Sequence, residues 1–390
     1  MSLSVSPFAK LMFEKVNAKF VSGDATATNE KELQTIFKSF GATEVFARMG
    51  TMKNRYEPYI DYSFESMLEK AVIAKDLDLP LNPEINLCPD HADVRGQNGP
   101  DLSEFPEIEL SKQWHELTID EMCKAAAQFG EIVAREIFSA GARVNVWNIG
   151  NEVNLGYGGV AIKPFPNAFH KEYGPDWYKT PYAVNPELGQ MSSAEFLSKS
   201  TNEQIKWAKT NLWPYQFRLM KAVTDGISSV DESARFSTHT TWAANTEFTL
   251  AFTKSLLESG FPLSSTGLAF YPSASPNAKA NYERTKETIA ALNSELGLSV
   301  FIAEYAYPAS TPTGVYSNWS HEVEGYGFTA EGQAGFLKDF LDWGASNGIC
   351  GVRPWAPDLC ALGWEAFALF EADGSVMNPR LALSELAVRR

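Results

Sequence analysis

Apolar residues along the chain switch repeatedly between two spacings. Short runs that alternate, or are apolar throughout, suit strands in a buried sheet; longer runs repeat every three to four residues, as one face of a helix does. The strand-like runs cover residues 20–24, 44–48, 81–87, 144–150, 235–241, 263–271, 299–304 and 350–355. Helical sequence separates them. It covers residues 30–40 behind Asn29, then 63 to about 74. From Thr118 a strong face carries Met122, Ala125, Phe129, Ile132, Val133 and Ile137. Further helices start at Ser193 or Asn202 (to about 223), at 245–259, at 278–295 and from Thr329 to about 344, and a short one lies within 378–390. Ser, Thr and Asn at these starts supply the acceptor that the first helical N–H groups need.

Eight strands alternating with helices, without a composition break or linker, predict an α/β fold: one (β/α)8 TIM barrel with long βα loops, a single catalytic domain over residues 1–390. The segment 95–116 is rich in Gly, Pro and acids. The segment 155–191 is dense in Gly, Pro, Tyr and Trp and is too long for a simple connection, so it is expected to be a functional loop.

Composition narrows the classes. The hydrophobic share of 44% suffices for a large core, and 10 Trp, 14 Tyr and 25 Phe are a rich aromatic complement. Rings fill cores, and when exposed they also stack on apolar sugar faces. The net charge of −15 and pI of about 4.9 argue against nucleic acid and anionic membranes as partners, and no run has the length of a membrane span. The four cysteines, Cys88, Cys123, Cys350 and Cys360, form no Cys-x-x-Cys pair, and only a Cys350–Cys360 bridge is conceivable. The five histidines show no metal-binding spacing, so no metal is expected. No cofactor is expected either: Gly156, Gly158 and Gly159 read as a hinge or tight loop at a site rim, not a nucleotide cradle. The N-terminus has no signal-peptide pattern, which implies an intracellular protein or a secreted one whose leader has been removed. Asn318-Trp319-Ser320 matches a glycosylation sequon.

The candidate chemistry centres on residues 144–152. A strand patterned by Val144, Val146 and Ile149 ends in Asn151-Glu152 and opens into the glycine-rich loop. Strand seven ends in a second carboxylate, Glu304. Both positions fall at the C-terminal mouth of a parallel barrel, where its active sites lie. Two carboxylates flanking one bond are what glycoside hydrolysis needs, at about 5–5.5 Å for retention and about 6.5–9.5 Å for inversion. Asn151 suits a sugar 2-hydroxyl.

Asn-Glu on strand four with Glu on strand seven resembles clan A of the glycoside hydrolases, and within it family 53, the endo-β-1,4-galactanases. Ile149-Gly150-Asn151-Glu152-Val153 resembles the family's acid/base motif. Ile302-Ala303-Glu304-Tyr305-Ala306-Tyr307-Pro308 resembles its nucleophile motif, and Thr329 to Ala334 the helix start that follows. Gly363-Trp364 through Ala368-Leu369-Phe370 resembles the segment after strand eight, with fainter echoes at 20–24 and 46–48. The resemblance implies a retaining double displacement on an oligo- or polysaccharide, with Glu152 as acid/base and Glu304 as nucleophile. It implies further that Arg48 lies under the site, that Tyr271 donates to Glu304, that Trp355 floors a sugar subsite and that His239 fills a strand-five position. Each has a plainer alternative: a structural ion pair for Arg48, a strand-exit turn for Tyr271, a core histidine for His239 and packing for Trp355. Trp242 and Trp364 are sugar platforms or core, and Trp147 is read as core. Two departures stand out. The third strand exits as Cys88-Pro89-Asp90-His91-Ala92-Asp93 where the family has a His-Tyr-Ser-Asp type of motif, and Glu365-Ala366 replaces Asp-Asn after Trp364. Asp90, His91 and Asp93 are therefore candidate substrate contacts, and the glycan stays open. The alternatives are the same fold acting on another β-glycan, a transglycosylase, and a non-catalytic carbohydrate-binding barrel.

Overall fold

A computed structural model of the chain describes residues 1–5, 8–51, 60–89, 93, 97–162 and 191–386. Eight parallel strands close into a barrel: β1 (Ser2–Val5), β2 (Glu44–Met49), β3 (Leu81–Ile85), β4 (Trp147–Ile149), β5 (Phe236–Thr240), β6 (Leu263–Phe270), β7 (Ser299–Tyr305) and β8 (Ile349–Pro354). Each pairs with its chain neighbour, and β8 returns to β1. Helices fill the crossovers, as parallel pairing requires.

Seven of the expected strands lie in this barrel; the first does not. Residues 20–24 were expected to open it, but Lys19–Ser22 joins Ala25–Ala27, Phe370–Asp373 and Val376–Pro379 in a separate four-stranded sheet, where Phe20 packs edge-on against Phe370 at 4.9 Å. The barrel begins instead at Ser2–Val5, where Leu3 and Val5 are buried between β8 and β2. Four residues carry too little alternation to be singled out by pattern. The pairing that selects them comes from partners some forty to three hundred and fifty positions away.

The helix starts follow local chemistry. Asn29, Ser63, Asn245 and Thr329 each accept an N–H three residues on, and Thr118 and Glu121 cap each other reciprocally ahead of Ile119–Ser139. The long fourth crossover has helices at both candidate starts, the second capped by Ser200, two residues before Asn202. It divides into Ser193–Leu197, Thr201–Asn211 and Trp213–Ser228, the last beginning with Pro214 in its first turn. Helices Ile119–Ser139 and Trp213–Ser228 touch backbone to backbone. A Cβ on Gly226 would stand 1.9 Å from the Ala127 carbonyl oxygen, and one on Gly130 would stand 2.3 Å from that of Val223.

Trp147 is core, as expected. It is buried against Phe138, and its indole N–H donates to Asp231 at 3.1 Å. The cysteines are all free, so no Cys350–Cys360 bridge forms. Gly156–Tyr157 and Val160–Ala161 pair as a tight hairpin turning through Gly158 and Gly159, whose positive φ values suit glycine. No helix of the described residues is long and apolar enough to cross a membrane.

Candidate active site

Polar side chains fill the barrel interior toward the mouth. On β3 the inward positions are Asn82 and Glu84, two residues apart as strand alternation dictates. Arg48 of β2 and Asn148 of β4 stand opposite Glu84 in the ladder. All of these side chains are buried.

Arg48 organises the layer above. Its Nε–H donates to Glu84 Oε1 at 2.5 Å, and its Nη2 donates to Asn151 Oδ1 at 2.9 Å and to Glu304 Oε1. The other oxygen of Glu304 accepts the Tyr271 hydroxyl at 2.6 Å. One carboxylate from β7 is thus held by β2 on one oxygen and by the residue after β6 on the other. Arg353 of β8 completes the lower layer, donating from Nη1 to Glu84 Oε2 and from Nη2 to Asn82 Oδ1, both at 2.8 Å.

Glu152 follows β4 in a left-handed conformation, φ 48° and ψ 51°. A residue with a Cβ pays roughly 1–2 kcal/mol there, so the surroundings must impose it. They do. The Glu152 N–H donates to His239 Nε2 at 3.2 Å, Gln97 donates to the Asn151 carbonyl at 2.8 Å, and Gln216 donates to the Val153 carbonyl at 2.7 Å. Asn154 Oδ1 accepts the Thr241 N–H at 2.9 Å. His239 Nε2 also lies 2.9 Å from Asn151 Oδ1, and its tautomer decides which of the two contacts it serves.

The electrostatics fix the charge states. Burial alone would push Glu84 up, but Arg48, His239 and Arg353 together hold its carboxyl down to about 2. Burial drives His239 down to about 4 against the pull of Glu84 and Glu304, so the imidazole is neutral near neutral pH. Arg48 loses solvation, but Glu84 and Glu304 more than restore its charge. Burial, then Glu304 and more weakly Glu152, pushes the Tyr271 phenol well up, so it stays a donor.

The remaining candidates divide. Trp355 is half-buried after β8 and packs edge-on against Trp364 at 4.7 Å and Phe8 at 5.3 Å. Trp364 is no sugar platform: it is 1% exposed, stacks on Phe367 and donates to the Ala356 carbonyl at 3.1 Å, backing Trp355 from behind. Trp242 is half-buried with its ring against Phe248 at 4.4 Å and Phe196 at 6.3 Å. Asp90 and His91 lie outside the described residues. Asp93 is buried, and its carbonyl accepts from Gln97. Three residues were missed by the sequence reading. Glu84 and Arg353 are charges inside otherwise buried strands, and that parity was the available signal. Trp319, 5.0 Å from the Tyr271 ring, sits in the loop after β7 and had no signal beyond aromatic density. Among the described residues no cluster of three or more His, Cys, Asp or Glu is arranged to hold a metal.

A closed parallel barrel with a carboxylate after β4, another at the end of β7 and an arginine from β2 on the second matches what the resemblance to clan A of the glycoside hydrolases implies. Within that class, residues 188–380 match the sequence profile of Glycosyl hydrolase family 53. The protein is a galactanase-like glycoside hydrolase, an enzyme of polysaccharide degradation. Solved structures agree on the fold. The family 53 catalytic domain of Ignisphaera aggregans superposes with a TM-score of 0.69 at 17% identity, covering 99% of this chain and 94% of its own. A fungal β-1,4-galactanase gives 0.71 at 16%, covering 99% of each. A psychrophilic family 10 endo-β-1,4-xylanase gives 0.54 at 11%, covering 100% and 97%. No curated protein sequence matches the chain.

Proposed function

We propose that the chain works as one catalytic barrel that hydrolyses a β-linked, galactan-like glycan with retention of anomeric configuration. The observation that carries this reading is the grip on Glu304. Arg48 and Tyr271 each donate to one of its oxygens. Two donors hold the carboxylate in place, oriented for attack on an anomeric carbon.

In the first step Glu304 attacks that carbon and forms an ester. The glycosidic C–O bond breaks, its electron pair goes to the leaving oxygen, and the Glu152 carboxyl supplies the proton. In the second step water attacks the same carbon, Glu152 takes the water's proton, and the ester bond returns its electrons to Glu304. Asn151, its side-chain oxygen fixed by Arg48, meets the sugar 2-hydroxyl. Trp355, backed by Trp364, floors the neighbouring sugar. His239 supports the Asn151–Glu152 turn.

A second reading keeps the machinery and changes the glycan. It is favoured by the altered β3 exit, Cys88 to Asp93, and by Glu365-Ala366. Incubation with galactan, mannan, glucan and xylan oligosaccharides, followed by proton NMR of the first product, tests both. Galactan cleavage with a β-configured product is expected; an α-configured first product would overturn the double displacement. Glu304→Gln should lose about 10⁴-fold or more in kcat. Glu152→Ala should lose far more on poor leaving groups than on activated aryl glycosides, and equal losses on both would remove its acid role.

A further inference from the structure

We propose that Glu84 is the standing counter-ion of Arg48 through the catalytic cycle, keeping the guanidinium paired during the half-cycle in which Glu304 has given up its charge. The proposal rests on the role assigned above to Glu304, and Glu84 enters it as a positioning residue.

The geometry points to this through a count of charges. Inside the barrel two arginines, Arg48 and Arg353, meet two carboxylates, Glu84 and Glu304. Glu84 is fully buried and bridges the arginines, one on each oxygen, while Glu304 pairs with Arg48 and not with Arg353. The set is balanced while Glu304 is ionised. When a Glu304 oxygen bonds to the anomeric carbon and the leaving oxygen departs with its proton from Glu152, one negative charge disappears from the set. A buried cation without a partner is costly in such surroundings. Had Glu304 been the only carboxylate on Arg48, attack would strand the guanidinium, and the barrier would carry that cost. With Glu84 on the Nε edge, Arg48 stays paired on one side whatever happens on the other. Its pull on Glu304 is also weaker, which favours attack. In the return step the same guanidinium receives the departing carboxylate.

The two half-reactions should therefore respond differently to loss of the Glu84 charge, whereas a merely structural residue would affect both alike. The probe is an activated 2-deoxy-2-fluoro β-glycoside of the glycan that the substrate panel identifies. Labelling is followed by intact-protein and peptide mass spectrometry, and reactivation is followed after the reagent is removed. In the parent the label is expected on Glu304. In E84Q labelling should slow by on the order of tenfold to a hundredfold, with reactivation unchanged or faster. The double variant E84Q/R353Q removes one charge of each sign, so its core stays balanced where E84Q alone fails to fold, and it should show the same split. Labelling at the parent rate, or labelling and reactivation falling together, would overturn the proposal. A parent label on another residue would instead overturn the assignment of Glu304, and the inference with it.

Discussion

Two clusters of buried charge among the described residues, one inside the barrel and one among the helices around it, are built to opposite rules. Around Arg48, cations match carboxylates: Glu84 and Glu304 face Arg48 and Arg353, and Glu84 is held far below its ordinary range. Around Lys70, carboxylates outnumber the cation. The Lys70 ammonium lies 3.3 Å from Glu30 and 3.4 Å from Asp61, and Asp61 also accepts the N–H groups of Lys10 and Leu11. Nearby, both oxygens of Asp358 take the Phe8 N–H, and burial pushes that carboxyl well up. Burial likewise lifts Glu30 to about 7, with Asp61 adding to the rise and Lys70 opposing it. The second cluster ties residues 8–11 to the barrel. Buried charge and displaced pKa values mark both places, so neither signal alone identifies chemistry. What separates them is position: the first cluster stands at the C-terminal ends of β2 and β7, and the second joins backbone N–H groups to side chains.

The sharpest way to break this contrast is Arg48→Met. It should lower kcat/KM by about 10²–10³-fold, because Glu304 then keeps only Tyr271 as donor. Steady-state kinetics on the preferred oligosaccharide check this, and a loss below tenfold would make the Arg48 cluster as structural as the other. The second cluster should give the mirror image. Lys70→Met leaves Asp61 and Glu30 without their cation and should cost about 3 kcal/mol of stability in urea unfolding, with kcat/KM per folded molecule unchanged. A drop in activity without a drop in stability would reverse the assignment.

The smallest effect sharpens the comparison through pH. Folded Glu30 keeps its proton up to about 7, against 4.5 for an ordinary glutamate. Between those values the folded state holds the extra proton, so this group's contribution to stability falls as pH rises from about 4.5 to about 7. Glu30→Gln should remove that slope, a difference of at most about 3 kcal/mol across the window, measured as urea midpoints at several pH values. An identical slope in the variant would show that Glu30 titrates as a surface acid does.

Much of the site was legible because its elements are local. Glu152 and Glu304 each end a patterned strand, and Arg48 and Tyr271 do the same on β2 and β6. A parallel barrel sends all such ends to one mouth, so strand assignment alone brings them together. The aromatic residues were not legible in this way. Trp355 and Trp364 have the same composition and nearly the same position in the chain, yet one is half-exposed and the other is sealed behind it, which depends on how the loop after β8 folds back.

The sequence by itself determined the alternation of strands and helices and the caps that start the helices, and it marked a glutamate at the close of strands four and seven, since these follow from periodicity and from hydrogen bonds within three or four residues. The tertiary structure alone decided that Ser2–Val5 rather than residues 20–24 opens the barrel. It alone also decided that Glu84 stands between two arginines. Both outcomes are pairings between residues distant in the chain, and such pairings are chosen by closure of the sheet and by the cost of burying an uncompensated charge, terms that no local pattern contains.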